Sequence, residues 1–349
     1  MDMKRRHTTV PTSSGRIVIE NDSPIEQPGT CLDLRDHSLK DALELILAQE
    51  GPLMSLRTAG RHLDTPRLMK AIGKKPPRAL ALTLDSLPQD SGSLADIRMT
   101  NSPEIHLGLP PETGPDYLRS LAALPGLEGL ELSYSGIDDD TVELLRPLAG
   151  SLRELGLSDT RVGDRTTGMI SEFNKLEKLA LSKTLVTGKN FERLPVSLDA
   201  LDLWGTEVGN EAVMKLERLS NLRFLALSRT RVQDEVMSVL SGLKHRRHLG
   251  LREVPLTDKG LAALCQNSNI QVLDLWESRI TDEGLGHIGN LCQLTELGLG
   301  HTQISGRNYR ECPLPAPIEK LWMNGTKVSA ESLNCIAHLG SLRKLNLED

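Results

Sequence analysis

Trp204, Trp276 and Trp322 are the only tryptophans of this chain, which has just three Phe and three Tyr besides. Two of them close the same tetrapeptide, Leu-Asp-Leu-Trp, at 201–204 and 273–276. Trp beside Arg252, with Asp202 and Asp274 flanking, is the composition of a protein-binding hot spot, where desolvated Trp and Arg carry much of the affinity. Phe224 and His248 fall in the same series of positions. The competing reading is that the two Leu-Asp-Leu-Trp units are kept by duplication and their rings only cover strand backbone.

Catalytic chemistry finds no comparable foothold. The chain has no GxxxxGK[ST] phosphate loop, no HExxH, no GxSxG and no Gly-rich strand-to-helix fingerprint. His245 and His248 form H-R-R-H, but a zinc site needs three or four converging ligands. Asp138–Asp140 suit a helix N-terminus, where negative charge is favoured, better than acid–base work. Cys31, Cys265, Cys292, Cys312 and Cys335 are odd in number and form no CxxC pair, so they read as reduced thiols, with Cys265 and Cys335 as small apolar fillers. The expectation is a non-enzymatic protein with no catalytic residue, no metal and no cofactor.

Composition narrows the classes further. The chain has 349 residues, 38% hydrophobic and 25% charged, which supports a substantial core and excludes wholesale disorder. A net charge of −6 argues against a general nucleic-acid binder. The basic stretch Arg57–Arg78 has no interleaved aromatic residue and reads as solvated surface. No apolar run has the roughly 18 to 20 residues that a membrane span needs.

The elements that must position the tryptophans repeat. Segments beginning at Leu127, Leu152, Leu176, Leu198, Leu222, Arg246, Ile270, Leu294, Ile318 and Leu342 each read approximately L-x-x-L-x-L-x-x-T-x-V, at spacings of 22 to 25 residues. Fainter copies precede them at 79–84 and 104–109. This pattern resembles the leucine-rich-repeat family over residues 79–349. The resemblance implies an α/β solenoid, with a curved parallel sheet on the concave side and short helices or irregular segments on the convex side. In place of the family's usual turn Asn stand Thr160, Thr184, Thr206, Thr230, Thr302 and Thr326. Alternation puts the fourth and sixth residues of each unit in the core and the third, fifth and seventh on the concave face, which is where all three tryptophans fall. Three strands at ~4.8 Å separate Trp204 from Trp276 by roughly 14 Å. Asp164, Asn210, Asp234, Asp258 and Asp282 follow the turn and read as helix caps. Prolines in 191–197 and 309–317 predict irregular convex segments, and the likeness of TGKNFERLP to SGRNYRECP five repeats on points to an internal duplication.

Three divisions follow: a polar, disordered leader over 1–30, a helical cap over 31–78 with helices at 38–50 and 52–73, and the solenoid over 79–349. Residues 39–68 also resemble an F-box, without its leading Leu-Pro and its Trp. That resemblance implies a substrate adaptor of a ubiquitin ligase, with Leu39, Leu43, Ile46, Leu53 and Leu56 facing a Skp1-type adaptor. With a secretion leader, such a protein would act as a bacterial effector in host cytoplasm; otherwise the chain reads as cytoplasmic. The leading expectation is a protein partner bound on the concave face over 200–325, with Trp204, Phe224, His248, Arg252, Asp202, Asp274, Trp276 and Trp322 as contact residues. The N-terminal half of the face, carrying Ser133, Ser158, Ser182, Gly156 and Ala180, reads as bland. A third reading is self-assembly through the last repeat, at Leu342–Leu347.

Overall fold

The computed structural model describes residues 104–109, 111–121, 124, 126–266, 269–306, 314–315, 317–329, 336 and 339–348, and the backbone of five earlier strands. Two of these, β1 (Arg6–Thr12) and β2 (Gly15–Asn21), pair as an antiparallel hairpin. Of the segment expected to be a structureless leader, residues 1–5, 13–14 and 22–29 lie outside the described residues. The average composition is polar, but Thr8, Thr9 and Val10 pair with Ile19, Val18 and Ile17, and β-branched residues suit a strand.

The chain divides into two compact units, Met1–Thr160 and Arg161–Asp349. In the first, β3 (Thr30–Asp33), β4 (Leu53–Ala59), β5 (Ala79–Thr83), β6 (Glu104–Gly108), β7 (Leu127–Glu131) and β8 (Glu154–Gly156) pair in chain order, all parallel. In the second, β9 (Lys178–Ala180), β10 (Ala200–Asp202), β11 (Phe224–Ala226), β12 (His248–Gly250), β13 (Val272–Asp274), β14 (Glu296–Gly298), β15 (Lys320–Trp322) and β16 (Lys344–Asn346) do the same. Both units are leucine-rich-repeat solenoid. The parallel strands begin earlier than residue 79, and β4 lies at 53–59 within the stretch expected to be helical at 52–73, whose remainder lies outside the described residues. Leu53 and Leu56 are spaced as in a repeat strand, and pairing with β5 decides between the two periods. The helix-break-helix layout of an F-box therefore does not hold at 53–59; Leu39, Leu43 and Ile46 lie outside the described residues.

The repeat consensus has a direct physical reading. First, fourth, sixth and eleventh residues such as Leu222, Leu225, Leu227 and Val232 are fully buried. Past each strand the eighth residue is left-handed: Tyr134, Asp159, Lys183, Arg229, Glu253, Glu277 and His301 have φ between 53° and 63°, joined by Gly205 and Gly325 at 67° and 65°. Left-handed backbone costs a non-glycine residue on the order of 1 kcal/mol. In the second unit each turn recovers that cost by donating the N–H of this residue to the next repeat, as in Lys183 to the Trp204 carbonyl at 2.7 Å and Glu253 to that of Trp276 at 2.7 Å. The Thr that follows donates its hydroxyl back to the carbonyl three residues earlier, at 2.5 to 2.7 Å for Thr160, Thr184, Thr206, Thr230, Thr302 and Thr326. A hydroxyl suffices there because the backbone ladder already serves the rest of the turn.

The acids after the turn act differently from helix caps. Asp258 opens a helix, α1 (Asp258–Leu264), yet its carboxylate accepts from the N–H and hydroxyl of Thr281 in the next repeat, at 2.9 and 2.6 Å. Asp234 holds Thr257, Asp282 holds Ser305, and Asp164 holds Thr187 in the same way; Asn210 accepts from the Gln233 N–H. The capping position itself is one residue earlier, at Thr257 or Thr281. From the first helical turn a short carboxylate reaches the neighbouring repeat, whose cap-residue N–H would otherwise lack a partner. Gly260 and Gly284 make room: a Cβ on either would stand 2.2 Å from the carboxylate of Asp234 or Asp258. The segment with Pro195 is irregular beyond one 3-10 turn at Phe191–Arg193, as its sequence predicts. Its loose carbonyls are served by side chains of the next repeat: Lys215 donates to Lys189 at 2.8 Å and Arg218 to Leu194.

The inter-repeat clamp predicts coupling between residues 23 apart. In a double-mutant cycle of Asp258→Ala and Thr281→Ala followed by urea unfolding, each single change should cost about 1–2 kcal/mol and the pair should couple by about 1 kcal/mol. Additive losses would mean that Asp258 serves only its own helix.

Candidate functional face

The third, fifth and seventh residues of each repeat point away from the core, and all three tryptophans are half-buried on this open face rather than projecting fully into solvent. Each is held by a cation. Lys183 Nζ and Arg229 Cζ lie 5.0 and 5.2 Å from the Trp204 ring centre. Both come from left-handed turns, one repeat before and one after, and Gly205 leaves the intervening turn without a side chain. Arg252 Cζ stands 4.7 Å from the Trp276 ring, and the His301 ring lies 5.1 Å from it, tilted by 49°. Gly300 permits this, since a Cβ there would come within 2.6 Å of the indole. Lys344 lies 5.9 Å from the Trp322 ring.

Acids join the first two clusters into one ladder. Arg229 Nε donates to Glu253 at 2.6 Å; Glu253 also faces Arg252 at 3.4 Å. Arg252 reaches Glu277 at 4.0 Å, and Glu277 accepts the Trp276 indole N–H at 3.0 Å. Phe224 and His248 form a separate ring pair, 6.1 Å apart on adjacent strands. The aromatic residues singled out from the sequence share one face, but the residues packed on their rings come largely from the turns. Arg252 packs on the Trp276 ring. Lys183, Arg229, Glu253, Glu277 and His301 were missed because they sit at the eighth position, past the strand. Their signal was the fixed offset of one residue from the seventh column.

Asp202 is not a solvent-facing acid, and Asp274 is half-buried. Asp202 is only 3% exposed and its Oδ1 accepts the Trp204 backbone N–H at 3.0 Å; Asp274 does the same for Trp276 at 3.1 Å. The seventh residue leaves the strand ladder, so its N–H needs a local acceptor, and a carboxylate two residues back closes that turn. Repeats without the acid use another device: Arg252 N–H donates to the Ser228 hydroxyl one repeat earlier, at 3.0 Å. Burial pushes both carboxyls above the ordinary carboxylate value, partly offset by these hydrogen bonds and, for Asp274, by Arg252.

The face of the first unit is not bland either. His106 on β6 reaches Glu154 on β8 at 3.4 Å, crossing Gly129, where a Cβ would lie 2.1 Å from the imidazole. Glu131 lies over Gly156 and accepts the Ser133 N–H at 2.8 Å; burial raises its carboxyl. Reading the third and fifth columns back to β6–β8 finds these three residues. His245 is exposed and His248 half-buried, and among the described residues no His, Cys, Asp and Glu group is placed to hold a metal ion. Burial pushes the Cys265 thiol up to about 12, as befits a core filler, while Cys292 is exposed. No helix among the described residues is long and apolar enough to cross a membrane.

No family model matches the chain, and no curated protein matches it by sequence. Among solved structures it is similar to an internalin of Listeria monocytogenes, inlF, at 19% identity and a TM-score of 0.47, covering 67% of this chain and 76% of that one. An internalin C2 of the same organism aligns at 22% identity and a TM-score of 0.40, covering 67% and 84%. The fold rests on the repeat register, the left-handed turns and the parallel pairing, not on these likenesses.

Asp202 offers a test with a sign. A folded-state carboxyl raised above its ordinary value of 3.8 stabilises the fold below that pH and loses the contribution as pH rises through the folded value. Asp202→Asn keeps an acceptor for Trp204 and removes the charge, so it should equal or exceed the parent in stability at pH 7, with the difference shrinking as pH falls toward 4. Asp202→Ala loses the acceptor and should cost about 1–2 kcal/mol at both pH values in urea unfolding. Equal losses for Asn and Ala at pH 7 would mean that the ionised carboxylate is itself stabilising.

Proposed function

We propose that the repeats form a protein-interaction module whose partner lies across the open face of the second unit, anchored on Trp204, Trp276 and Trp322. The observation that carries this reading is the placement of every Trp in the chain on that one face, each ring set by a stacked cation. Trp is ordinarily spent on a core or an interface. Here the core needs none, being filled by Leu, Ile and Val.

The five-repeat duplication does not account for the tryptophans. The internal copy runs over five repeats, matching TGKN at 187–190 to SGRN at 305–308 and the glycine turns Gly205 and Gly325. At that offset Trp204 corresponds to Asn324, Trp276 to Ser158 and Trp322 to Asp202. The five-repeat copy thus places no Trp on another Trp, while Trp204 and Trp276 share the seventh position of Leu-Asp-Leu-Trp units three repeats apart. Stacked rings and ion-paired turns also arrive preordered, which lowers the conformational cost of association. The basic residues of the ladder are matched by Glu253 and Glu277, a balance that suits a protein partner better than a polyanion. Phe224, His248 and Arg252 would line the contact, while Asp202 and Asp274 would shape it from below. No reaction is assigned to this face. The strand at 53–59 leaves the Skp1-type adaptor without support.

The test is affinity capture from the protein's own cells, comparing the parent, Trp204→Ala/Trp276→Ala and a control, Lys259→Ala, on an exposed helical position. Proteins retained by parent and control should fall at least about tenfold with the double variant, given that hot-spot truncations cost about 2 kcal/mol or more. Far-UV circular dichroism and melting should stay nearly unchanged. Undiminished capture by the double variant would remove the open face from the interaction.

A further inference from the structure

Arg246 occupies the first position of its repeat, the site that holds Leu198, Leu222, Ile270, Leu294 and Ile318 elsewhere in the second unit, each fully buried. Its backbone is in place: Arg246 N–H donates to Leu243 at 3.2 Å, and Arg247 N–H to Arg223 at 2.8 Å. The side chain is therefore directed into the core, where it is 1% exposed, the largest of the fully buried side chains. Nε, Nη1 and Nη2 all lack a hydrogen-bond acceptor among the described residues. The clamp acids of the flanking segments, Asp234 and Asp258, are already committed to Thr257 and Thr281. Burial pushes the guanidinium down to about 9, so at neutral pH it still carries its charge inside the apolar layer.

An uncompensated buried charge is among the costliest features a core can contain. In a solenoid that cost stays local, because each layer touches only its two neighbours. Parting of the Arg246 layer from the Leu222 layer or the Ile270 layer returns the guanidinium to water, while the remaining layers keep their contacts. We propose that the Arg246 layer is a built-in seam, at which the second unit opens into two cooperative blocks, one ending near Lys244 and the other beginning near Leu251. What holds the seam from outside is the face: the Phe224–His248 ring pair and the Arg229–Glu253 ion pair run from the Leu222 repeat to the Arg246 repeat. These are solvent-accessible contacts of modest strength. Trp204 and Trp276 belong to different blocks, so separation of the blocks moves one anchor relative to the other. The seam itself does not depend on the binding reading.

Native-state hydrogen exchange of the full chain, read by mass spectrometry, tests this. Peptides covering 243–251 should show a protection minimum between better protected peptides at 198–203 and 294–299. Arg246→Leu should slow exchange at 243–251 by about a hundredfold or more and erase the minimum. Arg246→Met serves as a second variant should the branched side chain overpack, and Lys244→Ala, on the exposed turn, should leave the profile unchanged. Uniform protection in the parent, or a minimum that survives both Arg246→Leu and Arg246→Met, would overturn the seam.

Discussion

The left-handed residue that ends each strand is the constraint on which the rest of the structure depends. It turns the chain out of the sheet while keeping one more N–H in the parallel ladder, and it can do so only if the next repeat presents a carbonyl in register. Seven described repeats place a non-glycine residue there, so each turn carries strain that its neighbour must offset. The same dependence appears on the other side of the repeat, where Asp164, Asp234, Asp258 and Asp282 satisfy the following repeat in preference to their own helices. Backbone ladder, side-chain clamp and leucine layer all point forward along the chain. Stability then resides in the junctions between repeats more than in the repeats themselves.

That turn also builds the face. A left-handed residue projects its side chain beside the strand it closes, within reach of the seventh residue of adjacent repeats. Lys183 and Arg229 meet Trp204 by this route, and His301 meets Trp276. Glycine at 205 and 300 determines which rings can be covered. The tryptophans are thus presented with their orientation fixed by neighbours. Asp202 and Asp274, which look like partner-facing acids in the bare sequence, are consumed in holding the backbone under those rings.

Much of this was legible in the amino-acid order. Leucine spacing specifies the parallel strands and the buried layers, and the Leu-Asp-Leu-Trp pair specifies the face. Proline at 195 foretells the irregular convex segment. What was hidden has one cause: the partners lie about 24 residues away. Asp258 suits a helix cap as well as a clamp, and only the neighbouring Thr281 decides between them. Lys183, Arg229, Glu253 and Glu277 carry no propensity for left-handed backbone, so nothing local marks them as turn residues. Leu53 and Leu56 fit a helix or a strand equally, and the parallel register with β5 resolves the choice. His106, Glu131 and Glu154 escaped notice because glycines at 129 and 156 let them lean across a neighbouring strand.

Core and face make opposite demands at the same place. The layer that contains Arg246 is the weakest inside, since a charge replaces a leucine, yet it lies beneath the most connected part of the outer ladder, where Arg229, Glu253, Arg252 and Glu277 follow one another without a gap. Exposed ion pairs contribute little individually, about 0–1 kcal/mol, and cannot offset a buried charge alone. A ligand spanning Trp204 and Trp276 would add its own contacts across that layer and would bind best when the two blocks are closed. Binding and closure would then be linked, since anything that prefers the closed form stabilises it by the same free energy. On this view the unfavourable arginine tunes how rigidly the two aromatic anchors are held apart, which a leucine at 246 would fix permanently.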